Sequence, residues 1–274
     1  MEEVRVRLGD RPVLHGVTAA FGRTETVAVL GPNGSGKTTM FRTAMGLLRP
    51  ETGRVLVDGR DIAGTPVADL ATTFGFVFQS PSQMLFARTI RDELLFGPRN
   101  LHLEMADPDA LCRDVLRRVA LDLVATTLER APLTLSFGQQ KRLALAIGLA
   151  LSPKALILDE PSAGQDHRTA NLFMAEVLEV QGVESIYFVT HDVDLALAHA
   201  DRILVLRDGE VAADGPPLEV VKDRERWEAC NLRYTSLITA NLAGEHGNRF
   251  LDAVTLARQM VTRGGGRPGV GDGG

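Results

Sequence analysis

Eight consecutive residues, Gly31-Pro32-Asn33-Gly34-Ser35-Gly36-Lys37-Thr38, carry three glycines, a lysine and a hydroxyl in the spacing G-x-x-x-x-G-K-[ST]. The glycines let the chain fold tightly and turn several N–H groups inward. A helix that starts at the end of the loop adds its own unpaired N–H groups and the positive end of its dipole. Such a nest suits phosphate oxygens. Lys37 supplies a mobile positive charge and Thr38 a hydroxyl for Mg²⁺, so a nucleoside triphosphate is the first ligand the chain predicts. Asn33, Gly34, Ser35, Gly36 and Thr39 complete the expected phosphate contacts.

A second group, Leu156-Ile157-Leu158-Asp159-Glu160-Pro161, is an apolar run that ends in two adjacent carboxylates. At the end of a buried strand, Asp159 can hold Mg²⁺ directly or through water. Glu160, pointing the other way, can polarise a water aimed at the γ-phosphate. That is hydrolytic chemistry. Upstream, Leu135-Ser136-Phe137-Gly138-Gln139-Gln140-Lys141-Arg142 precedes a helical run from Leu143 to Ala150, which places Ser136 and Gly138 near another helix N-terminus. One triphosphate seldom needs two such ends, so this surface suits the nucleotide of a second copy.

The elements that must position these residues are also visible. Thr26 to Leu30 is a short β-branched run before the loop, and Thr38 to Leu48 carries helix-spaced apolar residues after it. Two Asp-Gly pairs, Asp58-Gly59 and Asp208-Gly209, follow strand-like runs and read as tight hairpins. Ala155 to Leu158 and Ile186 to Val189 read as buried strands. Helical patterns cover Asp166 to Val180 and Val193 to Ala200, and this alternation predicts an α/β fold with a mainly parallel sheet. Residues about 88–135 lean towards helix, with Pro108 opening the region and Pro132 closing it. After Pro217 the composition becomes charged around Trp227 and Cys230, an amphipathic stretch runs from Arg249 to Met260, and a Gly-rich tail begins at Gly264.

Length and composition bound the reading. A chain of 274 residues with 45% hydrophobic content can bury one large core, with or without a small extension. A net charge of −5 provides no global basic surface, and no nucleic acid partner is expected. The two cysteines, Cys112 and Cys230, form neither a disulfide framework nor a metal-ligand spacing. The N-terminus lacks the layout of a secretion signal, and the longest apolar run, Leu143 to Leu151, is about half the ~20 residues of a membrane helix. A cytoplasmic chain that does not itself cross a membrane is expected.

With these motifs in order, the chain resembles the ATP-binding-cassette family over roughly residues 4–220. Gly31–Thr39 resembles its Walker A motif, Leu156–Glu160 its Walker B motif, and Leu135–Gln139 its signature, with Phe137 at a usual glycine. Gln79, after Phe74-Gly75-Phe76-Val77-Phe78, resembles the Q-loop glutamine. Ser162-Ala163-Gly164-Gln165-Asp166 resembles the D-loop, and His191 the switch histidine. Leu8 stands where the family's adenine-stacking aromatic falls. The resemblance implies a P-loop NTPase cassette with a mainly parallel sheet, an antiparallel β part and a helical signature subdomain. It implies ATP and Mg²⁺ as ligands, with Glu160, His191 and Gln79 catalytic and Thr38, Gln79 and Asp159 around the metal. It also implies a head-to-tail pair of identical or different cassettes in which Ser136, Gly138 and Gln139 act in trans.

Phe78 to Phe86 and Leu94-Leu95-Phe96-Gly97-Pro98 resemble the ATPase subunits of energy-coupling-factor importers, including the cobalt and nickel group. This implies a peripheral subunit on the cytoplasmic face of the cell membrane. Its partners would be an integral-membrane coupling protein and a substrate-binding membrane component for a vitamin or transition-metal ion. The loop from Ser80 to Gln83, followed by Met84, Leu85 and Phe86, could then sense the γ-phosphate at one end and hold a partner helix at the other. The expected layout is a cassette over 1–225 with a helical subdomain at about 88–150, a dimer-contacting extension over 226–263 and a disordered tail over 264–274. The alternative is a soluble cassette ATPase in translation or DNA repair, for which tandem cassettes or a long coiled-coil insertion are expected; the sequence carries neither. A phosphotransferase would not need the signature, the Q-loop or the switch histidine.

Overall fold

The computed structural model describes residues 1–121, 128–244 and 250–264. The chain opens with strands β1 (Glu2–Leu8), β2 (Arg11–Val17) and β3 (Thr26–Leu30), then helix α1 (Lys37–Ala44). Short strands β4 (Thr52–Arg54), β5 (Leu56–Val57) and β6 (Arg60–Asp61) lead through α2 (Val67–Leu70) to β7 (Phe74–Val77). Helices α3 (Ile90–Asn100), α4 (Pro108–Arg118) and α5 (Phe137–Leu149) follow. Next come β8 (Ala155–Asp159), α6 (His167–Leu178), β9 (Ser185–Val189), α7 (Val193–His199), β10 (Arg202–Arg207) and β11 (Glu210–Gly215). Four helices close the described chain: α8 (Pro217–Lys222), α9 (Arg224–Ala229), α10 (Ser236–Ala243) and α11 (Ala253–Gly264).

Alternation along the strands sorts the core into two layers. Val27 and Val29 of β3 pack on one side with Ile157, Tyr187, Leu204 and Leu206, against β1, β2 and the Met40–Phe41 face of α1. Ala28 and Leu30 pack on the other side with Leu156, Leu158, Phe188 and Val205, against the helices from α3 onward. This is the period-2 geometry of a strand covered on both faces, and it explains why β9 is buried at every position. Trp227, Cys230, Leu232 and Ile238 belong to the second layer, so the segment after Pro217 is docked on the same core.

The main sheet has the order β11-β10-β3-β9-β8-β7. Neighbours from β10 through β7 are parallel, and β10–β11 is antiparallel. A separate antiparallel sheet has the order β2-β1-β4. Both expected Asp-Gly hairpins are present, with Asp58 at φ 49° and Gly59 at 76°, and Asp208 at 48° and Gly209 at 75°. Two consecutive residues in this region match the twist of the flanking strands. Helix α1 ends earlier than the apolar spacing suggested, because the Leu47 N–H turns back to the Arg42 carbonyl at 2.9 Å. Asp166 caps α6 by accepting from the Thr169 N–H, and Pro108 is the first residue of α4, behind the Asp107 cap. Helix α11 overlaps the amphipathic stretch and ends at Gly264; residues 265–274 of the expected tail lie outside the described residues. No helix among the described residues is long and apolar enough to cross a membrane.

Candidate active site

Because β3, β7, β8 and β9 run parallel, the residues that follow their carboxyl ends share one rim of the sheet. The Gly31–Thr38 loop follows β3, Gln79 follows β7, Glu160 follows β8 and His191 follows β9. All four line one open cleft of about 1370 Å³, together with Asn33, Gly34, Gly36, Lys37, Thr38, Thr39 and Asp159.

Main-chain contacts hold the loop from behind. A Cβ on Gly31, at φ 150°, would lie 2.0 Å from the Leu206 carbonyl oxygen, so only glycine permits the approach. The Gly209 N–H donates to the Ser35 carbonyl at 3.1 Å, and the His15 N–H donates to the Gly209 carbonyl at 2.9 Å. Within the loop, the Ser35 hydroxyl is buried and has no hydrogen-bond partner among the described residues. Lys37 Nζ donates to the carbonyls of Gly31 at 2.7 Å and Pro32 at 2.9 Å. Burial pulls the Lys37 ammonium below the usual lysine range, against the opposing fields of Glu160 and Asp159.

These features fit a bound polyphosphate and its cation. The Ser35 hydroxyl lacks a partner, and the Lys37 donors rest on neutral carbonyls that anionic oxygens can replace. Thr38 Oγ1 is 3.4 Å from both Asp159 carboxylate oxygens, a long contact across a gap of hard oxygen donors. Burial and then the charge of Glu160 push the Asp159 carboxyl above its ordinary range, a cost that a divalent cation would offset. No cluster of three or more His, Cys, Asp or Glu side chains that could hold a metal occurs among the described residues. Mg²⁺ at Thr38 and Asp159 would therefore rely on nucleotide oxygens, which is its common habit.

Glu160 has φ 50°, left-handed backbone that a non-glycine residue seldom adopts without a local reason. Its N–H donates to the Val189 carbonyl at 2.9 Å. Oε2 accepts from the His191 N–H at 3.3 Å and lies 2.8 Å from His191 Nδ1. In the tautomer that carries its proton on Nδ1, the ring donates to this carboxylate, and the other ring nitrogen has no partner among the described residues.

Ser136, Gly138 and Gln139 do not line this cleft. Ser136 caps α5: its Oγ accepts from the Gln139 N–H at 3.3 Å, and the Gln139 Oε1 accepts from the Ser136 N–H at 3.0 Å. The Phe137 backbone is helical and not among the positive-φ residues, so its bulk causes no backbone strain. Leu8 lines the cleft with Arg11, Pro12, Val13 and His15, an edge of aliphatic, guanidinium and imidazole groups where the family's stacking aromatic falls. No motif in the sequence pointed to the Arg11–His15 edge or to Asn231, Leu232, Arg233 and Thr235, which also reach the cleft. Thr235 Oγ1 ties this second group to α7 through Asp194 at 2.7 Å.

Beyond Gln79 the apolar residues divide. Leu85 is core and Met84 is half-buried, so the expected exposed groove is reduced to Phe86. Phe86 packs edge-on against Phe96 at 4.8 Å, both rings exposed. The buried Glu93 carboxylate accepts from the Phe86 and Ala87 N–H groups at 3.0 and 2.7 Å and fixes that turn.

Comparison with known proteins follows the same outline. Residues 14–163 match the ABC transporter family. An energy-coupling factor transporter ATP-binding protein from Methanothermobacter thermautotrophicus is 37% identical over 81% of this chain and 71% of its own length. The structure of cbiO1 from Clostridium perfringens, part of the ABC transporter complex cbiONQ, superposes with a TM-score of 0.73 at 33% identity, covering 85% of this chain and 94% of that one. A dimeric post-hydrolysis structure of the ATP-binding cassette MJ0796 with ADP and Pi gives a TM-score of 0.67 at 26% identity, covering 79% and 97%. The chain belongs to the ABC transporter family and is an ATPase of that family.

Proposed function

We propose that this ATPase powers an importer of the energy-coupling-factor type, for a transition-metal ion or a vitamin, from the cytoplasmic face of the membrane. The observation that carries the catalytic part is the convergence of Lys37, Asp159, Glu160 and His191 on one cleft at the carboxyl ends of adjacent parallel strands. The loop N–H groups and Lys37 bind the phosphates. Thr38, Asp159 and Gln79 would hold Mg²⁺, directly or through water, and the ion would supply charge neutralisation to the phosphates. Glu160 takes the proton from the water that attacks the γ-phosphorus. His191 orients that carboxylate and faces the γ-phosphate, and ADP and Pi are the products.

ABC ATPases act as dimers, and here Ser136, Gly138 and Gln139 would serve the nucleotide of a second cassette. Their placement outside the chain's own cleft supports that reading. The cassette covers 1–225 with a helical part at about 88–150, and 226–263 provides a further dimer contact. The docking face for an integral-membrane coupling protein is the Phe86–Phe96 pair, which the Gln79 turn links to the cleft. The relatives with energy-coupling-factor names support the importer assignment.

The test is copurification of the tagged chain with an energy-coupling-factor coupling protein, followed by ATPase assay of the complex in liposomes. Phe86→Glu should lose the coupling protein while keeping ATP binding. Equal recovery with wild type would remove the docking face, and turnover indifferent to the coupling protein would favour a soluble role.

A further inference from the structure

Two lysines are buried among the described residues: Lys37 in the phosphate loop and Lys141, which the chemistry above does not use. Lys141 lies little more than one turn into α5, the helix capped by Ser136. Its Nζ donates to the Pro161 carbonyl at 2.6 Å and to Gln165 Oε1 at 3.1 Å. The Phe137 and Phe173 ring centroids lie 5.6 and 5.5 Å from it. Burial alone lowers this ammonium to about 8, and no carboxylate offsets the cost among the described residues. A charge held at such cost needs a compensating role, and its acceptors belong to the turn that directly follows Glu160. A void of about 10 Å³, close to the space of one water, separates Lys141 from Gln79 and Asp159.

We propose that Lys141 is a positioning residue that ties the start of α5 to the 161–165 turn. Engagement of Ser136 and Gly138 by a second copy's nucleotide is thereby transmitted to the Glu160 carboxylate acting on the chain's own nucleotide. The proposal rests on the reading of Glu160 as base and of the α5 start as a contact in trans. Through Phe137, whose ring lies against Gly164, the same helix also touches the turn at its apex. The two nucleotides of a pair are then coupled within each chain, by the two Lys141 hydrogen bonds and the Phe137 contact.

The test is steady-state ATPase kinetics of the full chain with Lys141→Met, which keeps the volume and removes the donors. We expect kcat to fall about 10-fold or more, since small misplacement of a reacting group is costly, with KM changed less than about 2-fold. The Hill coefficient for ATP should drop towards one. Lys141→Arg, which keeps a charged donor, should restore both, and Gln165→Ala, which removes one acceptor at the half-buried end, should shift both in the direction of Lys141→Met. A purely structural role would reduce the yield of active protein but leave kcat per active site and the Hill coefficient unchanged; that result overturns the proposal, as does Lys141→Arg being as impaired as Lys141→Met. Glu160→Gln measured alongside separates the failures. Loss of turnover there with wild-type kinetics in Lys141→Met overturns the link alone, whereas wild-type turnover in Glu160→Gln overturns both.

Discussion

Replacing Lys37 by alanine tests the phosphate loop most directly. In the structure the ammonium already donates to the Gly31 and Pro32 carbonyls at 2.7 and 2.9 Å, so the proposed nucleotide binding would exchange these bonds for bonds to phosphate oxygens and would not create them from nothing. The surplus is the difference between neutral and anionic acceptors for a charged donor. Taken at the lower end of the range for a bond to a charged group, about 1.5 kcal/mol, this surplus corresponds to roughly 10-fold in Kd for ATP. Titration calorimetry with ATP, ADP and AMP distinguishes the causes. The loss should be largest for ATP, and AMP, which lacks the β- and γ-phosphates, should change less than about twofold if only that contact is gone. An ATP Kd within about threefold of wild type would refute the reasoning, because a loss of 1.5 kcal/mol already exceeds it. Equal losses for ATP and AMP would point to collapse of the loop.

Glu160→Gln keeps an oxygen to accept from the His191 N–H but removes the proposed base, so ATP should still bind while phosphate release slows by ~10²-fold or more; filter binding and a phosphate assay read the two separately. Full turnover would move the base elsewhere. Lys141 also predicts a pH dependence. Its folded pKa is about 8 against an ordinary 10.5, so between these values the unfolded chain holds a proton that the folded chain has released. Stability from this group therefore rises with pH across that window and is flat below it. The unfolding free energy of wild type minus that of Lys141→Met, from urea melts, should climb from pH 8 towards 10.5; a flat difference would show that Lys141 is not held at a lowered pKa.

What the sequence revealed and what it hid divide on physical grounds. The strand, loop and helix around Gly31–Thr38 and the apolar strand ending at Asp159 were legible, because local spacing alone determines them. Both Asp-Gly hairpins were legible for the same reason, since the turn type demands those residues. The β2-β1-β4 sheet was less visible. Its β1 alternates buried and exposed positions, but it pairs irregularly with both neighbours, through register shifts that no local pattern encodes. The exposure of Leu85 was misjudged, since an apolar residue in a polar loop reads the same whether it faces the core or a partner. Lys141 carried no signal: a lysine beside an arginine at a helix start looks solvated until the fold closes Pro161 and Phe173 over it.

Behind the Gly31–Thr38 loop, main-chain hydrogen bonds run from Gly209 to Ser35 and from His15 to Gly209, and the Leu206 carbonyl lies against Gly31. Facing it, the Glu160–His191 contact and the Lys141 bonds depend on particular side chains. One wall of the cleft is thus held by main-chain bonds and by the positive φ of Gly31, Gly34, Gly36 and Gly209, and the other depends on the side chains of Glu160 and His191. Substitutions in the second wall would therefore change the proposed chemistry while leaving intact the shape of the loop that would hold the phosphates.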